Sequence, residues 1–243
     1  MKNSLCLILL LSLSVVLFSQ KSKKQVFQFW DSAGKVVREK DARYLTRIRY
    51  VNDTCWQFQH YEMMSPMISS GEYKDKDGTV RHGRSSFMRI DGTLDSTGHF
   101  VNNKPDGTWL YFSNNGRLAT KKEYSMGDLL STWNASDKID HSNKPDVEAQ
   151  FPGSNMEWQR YLIRNLRYPE YAMGRQIQGN VEMYFQIDAE GNVQDEILIQ
   201  SVEFTLDNEA LRLLRESRKW IPANKNGQKI ASYKQQGIAF KTF

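Results

Sequence analysis

Residues 179–202 read GNVEMYFQIDAEGNVQDEILIQSV, and the fold of the C-terminal part of the chain turns on them. Val181, Met183, Phe185 and Ile187 alternate with Glu182, Tyr184, Gln186 and Asp188. Successive side chains of a strand point to opposite faces, so this pattern describes a strand with one apolar and one mostly polar face. Residues 188–192, DAEGN, reverse the chain, because Gly and Asn tolerate the positive φ that a tight hairpin needs. Val193, Ile197 and Ile199 continue the apolar face on the return strand, with Asp195 interrupting it. Each such side chain contributes roughly 1.5–3 kcal/mol when fully buried. A lone hairpin is marginal in water, so the apolar face requires a cover.

Two flanking segments supply one. Upstream, Ser154 and Glu157 stand at the spacing of a capping box. Trp158, Tyr161, Leu162 and Leu166 then recur at helical spacing, and Pro169 stops the helix. Downstream, Thr205 or Asp207 caps a second helix whose stripe is Leu206, Ala210, Leu213 and Leu214, ended by Trp220-Ile221-Pro222. A turn at Asn226-Gly227 leads into a last strand within residues 230–243. Helix, strand, strand, helix, strand is the order of an α+β layer, with two helices on a three-stranded antiparallel sheet.

Several short stretches recur in a familiar order: Phe151-Pro152-Gly153, Asn165-Leu166-Arg167-Tyr168-Pro169 with Ala172 behind it, and Ile177-Gln178-Gly179-Asn180-Val181. They are followed by the turn at 188–193, Leu206-Asp207-Asn208-Glu209-Ala210-Leu211, and Trp220 with Pro222. On these motifs residues 151–243 resemble the TonB C-terminal domain family in its Bacteroidetes form. The resemblance implies a periplasmic domain that grips a short extended peptide of an outer-membrane TonB-dependent receptor. It also implies that the C-terminal strand is the receiving edge, which here comprises Ile230, Ser232, Tyr233, Lys234, Gln235, Gln236, Ile238 and Phe240. An open sheet edge accepts such a peptide as an added strand, with backbone hydrogen bonds supplying affinity. The sequence departs from the family at Lys234-Gln235-Gln236-Gly237, a more polar run, with Gly237 where Pro is common. Gly weakens a strand interior or marks a bulge. A force-transmitting member also carries an anchor helix and a Pro-rich spacer, whereas the six prolines here do not cluster.

The 243 residues leave room for two small domains, and 40% hydrophobic content with 12% aromatics suffices for packed cores. The net charge of +5 is spread among both signs, without the basic stripe of a nucleic-acid binder. Lys2 precedes an apolar run at residues 5–18, and Ser19-Gln20 is a cleavage point of the small-residue kind. As a helix that run spans about 21 Å, short of the ~30 Å hydrocarbon core. A removed signal peptide at 1–19 is the reading, with an inner-membrane anchor as the alternative. An anchored chain would also meet inner-membrane proton-channel partners. The location expected is the periplasm or cell envelope. Cys6 leaves with the signal, which makes Cys55 the sole mature cysteine and excludes an internal disulfide. Its plain reading is a buried, inert thiol.

Val26 to Trp30 reads as a strand, turned at Asp31-Ser32-Ala33-Gly34, with Lys35-Val36-Val37 returning. Arg38, Lys40, Arg43, Arg47 and Arg49 follow, interrupted by Glu39 and Asp41. They read as the solvated face of strands whose other side carries Tyr44, Ile48 and Tyr50, rather than as an anion patch. The next stretch repeats internally. Gly83 and Gly107, Phe87 and Tyr111, Gly92 and Gly116, Leu94 and Leu118, and Phe100 and Tyr124 all stand 24 residues apart. Each unit is a strand ending in an aromatic, a Gly turn, a second aromatic strand and another Gly turn. The clearest, from Gly98 through Pro105, Gly107, Trp109 and Gly116 to Leu118, resembles the MORN repeat of YwqK-like proteins, across residues 71–131. Such hairpins bury their aromatic faces only against neighbours, so they stack into one curved antiparallel sheet. The fold class expected is thus mainly β, plus a C-terminal α+β domain. Residues 20–134 form the repeat domain, 135–150 a polar linker and 151–243 the TonB-type domain. The two units are expected to fold independently across a join near 137–148. The linker reaches at most ~60 Å when extended.

Catalysis finds little footing. His60, His82, His99 and His141 lack metal spacing with one another or with Cys. No nucleophile elbow or phosphate-cradling Gly-rich loop appears. His99 and Asp106 meet across the repeat sheet without a nucleophile, and Asp195 and Glu196 point to opposite faces of a strand. We therefore expect no enzyme, cofactor, metal, nucleic acid or small-molecule substrate. The runner-up function is a repeat-based structural or adaptor protein of the envelope, without energy transduction. The signal reading predicts a mature chain starting at Gln20. Intact mass of the envelope-located protein checks this, and recovery of full-length chain in the membrane fraction would revive the anchor.

Overall fold

The computed structural model describes residues 25–135, 144–153 and 155–242. The apolar N-terminal run, the Ser154 cap and residues 136–143 of the segment read as linker lie outside them. Nine strands form one antiparallel meander in chain order: β1 (Gln25–Trp30), β2 (Tyr44–Asn52), β3 (Cys55–Glu62), β4 (Met67–Tyr73), β5 (Arg81–Met88), β6 (Leu94–Val101), β7 (Lys104–Phe112), β8 (Leu118–Ser125) and β9 (Asp128–Asn134). The 24-residue period is a geometric one. Asn102-Asn103 and Met126-Gly127, one period apart, make the two-residue turns into β7 and β9, all four at positive φ.

The two faces of this sheet differ. On one, Ile48, Phe58 and Tyr73 form a buried cluster. The Arg81 guanidinium lies over the rings of Tyr73, Phe87 and Phe100 at 5.2, 5.2 and 5.6 Å. Trp109 fills the space left by the absent side chain of Gly98, where a Cβ would come within 2.3 Å of the indole. Aromatic rings stacked along a stripe of small residues cover this face with little help from elsewhere. The other face is aliphatic and polar, and at Leu45, Tyr61 and Met67 it enters the core of the C-terminal module.

That module contains α1 (Asn155–Asn165), α2 (Glu170–Gly174), β10 (Gly179–Ile187), β11 (Val193–Gln200), α3 (Phe204–Arg215), a hairpin of β12 (Ala223–Lys225) and β13 (Gln228–Ile230), and β14 (Ser232–Phe240). Its antiparallel sheet runs β11-β10-β14. Val181, Met183, Phe185 and Ile187 all point inward and are fully buried. Phe151, Trp158, Trp220 and Phe185 meet edge-on or tilted over them, with centroids 5.2–5.5 Å apart. Two additions correct the two-helix layout: the short α2, started by Pro169, and the β12–β13 hairpin. The upstream strand-like order is otherwise as the alternation implies.

Three local readings are also corrected. The cap of α3 is Glu203, whose carboxylate accepts from the Thr205 amide at 2.8 Å; Asp207 lies in the first turn instead. The helix stops at Arg215, before Trp220. On β11 the inward residue is Leu198, opposite Met183, rather than Ile197 or Ile199. Between the pairs Gln186–Gln194 and Tyr184–Ile197, β10 advances two residues and β11 three, with Asp195 at φ 53°. One extra residue flips the side chains that follow to the other face, until a second shift between the Met183–Leu198 and Glu182–Gln200 pairs. Segment 146–150, within the stretch read as linker, is packed. Val147 bridges to Asn224, Gln150 to Ile221, and Ala149 is fully buried.

One apolar cluster spans the sheet and the module, beside the smaller cluster on the sheet's far face. Asp207 sits at the join, fully buried. Its carboxylate accepts from the Tyr61 hydroxyl at 3.0 Å, the Ser201 hydroxyl at 2.5 Å and the Val202 amide at 3.0 Å. Ser201 Oγ in turn accepts from the Met67 amide at 2.7 Å. Burial pushes the Asp207 carboxyl up to about 7, against the opposing pull of those three donors. Beside it the Phe204 ring packs edge-on to Tyr61 and Phe27 at 5.3 and 5.5 Å. Gly92 closes the other end of the join. Its carbonyl accepts from the Ser201 amide at 2.8 Å, and a Cβ on it would stand 2.2 Å from the Ser201 carbonyl oxygen.

Two outcomes follow for stability. Gly92 and its period-mate Gly116 both have positive φ, at 83° and 74°, but Gly116 has open space around it. Urea denaturation of Gly116→Ala should show a loss of about 1 kcal/mol, the left-handed backbone cost alone. Gly92→Ala should lose clearly more, because the docked backbone must also move. For Asp207 the folded pKa lies above the unfolded one. Its contribution is then fully present below about pH 4 and is lost as pH rises to about 7. Stability measured against pH should fall across that window, and Asp207→Asn should flatten the fall.

Candidate functional site: the open edge of the C-terminal sheet

The module's sheet has two edges, and the chain treats them differently. The β11 edge is turned to the meander. Gln200 bridges to Thr93, its side-chain amide donates to the Asp91 carbonyl at 2.9 Å, and Asp195 pairs with Arg84 at 2.9 Å. The β14 edge carries no strand partner among the described residues. β14 itself is anchored along its whole length, in unbroken register with β10 from Gly179–Phe240 to Ile187–Ser232. An anchored strand with an unpaired outer row of amides and carbonyls is the template that strand addition requires.

The sequence-derived edge residues fall as follows. Ser232, Tyr233, Lys234, Gln235, Gln236, Ile238 and Phe240 share β14. Ile230 does not; it belongs to the β12–β13 hairpin, opposite Ala223, and packs on the core. Ile238 and Phe240 are buried and fix the strand's inner face. Tyr168 meets Phe240 edge-on at 5.9 Å. On the outer face Tyr233 is half exposed and stacks parallel on Tyr184, with centroids 5.1 Å apart. Gln235 donates to Glu182 at 2.7 Å. Gly237 does not break the ladder: it pairs with Glu182 in the same register as its neighbours. A bulge at the Gly is thus absent from the β10–β14 pairing.

Sequence reasoning missed a second feature, a cavity of about 350 Å³ between the meander and the β11–α3 side of the module. Arg38, Lys40 and Arg43 are exposed, as a solvated face requires, but Arg47 and Arg49 are not. They project from β2 into this cavity. Glu196, paired with Arg215 at 2.5 Å, lines it together with Asp195. The bulge at Asp195 therefore brings to one wall two carboxylates that simple alternation sends to opposite faces. His99 and Asp106 are cross-strand partners as the repeat implies, and Asp106 is engaged by the Met126 amide at 2.9 Å. Cys55 is half-buried, and burial raises its thiol. Among the described residues no group of three His, Cys, Asp or Glu side chains is arranged to hold a metal.

No curated protein sequence matches the chain. Among solved structures it is similar to "NMR solution structure of Helicobacter pylori TonB-CTD (residues 179-285)", with 26% identity, covering 38% of this chain and 87% of that one at a TM-score of 0.30. Residues 164–242, from the end of α1 through β14, match the family model described as Gram-negative bacterial TonB protein C-terminal.

Proposed function

We propose that this chain is an exported envelope protein that captures an extended segment of an outer-membrane TonB-dependent receptor on β14, by strand addition. The observation that carries the reading is the asymmetry of the module's sheet. The β11 edge is tied to the meander, while the β14 edge is anchored on one side and unpaired on the other among the described residues. The family match over 164–242 supports it, since TonB-type domains meet outer-membrane receptors. Binding through backbone, without a reacting group, also fits a protein that is not an enzyme. We read residues 1–19 as the export signal, the meander as a MORN/YwqK-like repeat array and the Bacteroidetes form of the family as the source. No described helix is long and apolar enough to cross a membrane.

A second reading has its own observation. The meander packs directly on α3 and β11 through a shared core. Halves packed together in this way favour an adaptor that positions a partner over a transducer that spans a distance.

Proline on β14 tests the edge. Neighbouring residues of an antiparallel strand direct their amides to opposite sides. Tyr233 and Gln235 therefore form one set, Lys234 and Gln236 the other. Proline removes the donor and fixes φ. In one set it should break the β10 ladder and destabilise the fold. In the other it should leave the protein folded and abolish capture. Backbone amide shifts of the chain from Gln20 onward, titrated with receptor N-terminal peptides, give the readout, with affinity in the micromolar range or weaker. If no peptide moves β14 amides at millimolar concentration, the receptor reading falls and the adaptor reading stands.

A further inference from the structure

We propose that the cavity between the meander and the C-terminal module is a binding site for a small oxoanion, a phosphate or carboxylate group, held by Arg47 and Arg49. This site is separate from the β14 edge and does not depend on it. Both arginines rise from the same face of β2, two residues apart, into a half-open space of about 350 Å³ whose opposite wall is β11 and α3. A guanidinium presents several donors in a planar fork, which suits the geometry of carboxylate and phosphate oxygens.

Four arginines line the cavity, Arg47, Arg49, Arg84 and Arg215, against three carboxylates, Glu72, Asp195 and Glu196, so the lining keeps a net positive charge. Asp195 is held by Arg84 at 2.9 Å and Glu196 by Arg215 at 2.5 Å. Glu72 accepts from Gln57 at 3.0 Å and from the Arg84 amide at 3.1 Å. Among the described residues Arg47 and Arg49, by contrast, donate to neutral amide oxygens. Arg47 reaches Gln25, Gln59 and, across the join, Asn208 at 2.5 Å. Arg49 donates to Gln57, at 3.0 Å from Nε. Burial lowers the pKa of both, and the neighbouring guanidiniums lower them further, Arg49 and Arg215 for Arg47 and Arg215 for Arg49, while Glu196 and Glu72 oppose the shift at Arg49. Half-buried cations that repel one another, with donors to spare, form a site that an anion stabilises. Because the walls come from both halves of the molecule, a bound anion also strengthens their docking.

Isothermal titration and thermal melting of the chain from Gln20 onward test this, at constant ionic strength, with inorganic phosphate, succinate and chloride. Phosphate, succinate or both should bind saturably with one site per chain and raise the melting temperature, and chloride should not. Which of the two binds identifies the source of the oxoanion. Arg49→Gln should weaken binding by roughly tenfold or more, and Arg49→Lys, which keeps the charge but not the fork, by less. Melting without added anion shows that the variants fold; if Arg49→Gln does not, Arg49→Lys alone must still weaken binding. The proposal is overturned if neither oxoanion binds saturably up to about 10 mM, or if both arginine variants bind as the parent does.

Discussion

Asp207 loses its water when α3 packs against the meander, and three donors replace that water. They are the Tyr61 hydroxyl from β3, the Ser201 hydroxyl and the Val202 amide. A buried polar group left without partners costs on the order of 1–3 kcal/mol, and more if charged. Of the three donors, only Tyr61 comes from the meander, and its bond is made where β3 is seated at the start of α3. The same seating puts Met67 against Ser201 and Gly92 beneath the end of β11. The Phe204 ring, lodged between Phe27 and Tyr61, supplies apolar area around the polar centre.

Fixing that seating decides what remains available for binding. Tying down the β11 side leaves β14 facing outward, so the openness of one edge is a consequence of the closure of the other. The cavity arises from the same join. Leu45, Tyr61 and Met67 fill the contact near α3, but further along β2 the inward residues change to Arg47 and Arg49. Guanidiniums with their own hydration do not close a gap as aliphatic side chains do, and a space remains.

Much of the architecture was legible because it rests on local periodicity. The alternation in β10 fixed which residues enter the core, and the 24-residue spacing of glycines and aromatics fixed the hairpins of the meander. The stripe of α3 did the same for its buried face. What escaped depended on partners distant in sequence. Asp207 looked like a cap because Asp favours helix starts, and only Tyr61, 146 residues away, explains its burial. The β11 phase was misread because an extra residue at Asp195 leaves no compositional trace. Arg47 and Arg49 alternate with Ile48 as solvated residues would, and nothing local reports that another layer covers them. Of the edge strand, residues 232–240 were placed together, while Ile230 was assigned to it across a turn that the sequence does not mark.

The meander is a stack supported at one end. Strands β1 to β6 contact the module, but β9 is almost wholly exposed, with Leu129 and Leu130 facing solvent. In a chain of nearest-neighbour hairpins each strand is held by the next, so local opening free energy should decline from β6 toward β9. Such a sheet behaves as a cantilever whose free tip frays long before its root. Motion at the tip is then mechanically decoupled from the join at Asp207.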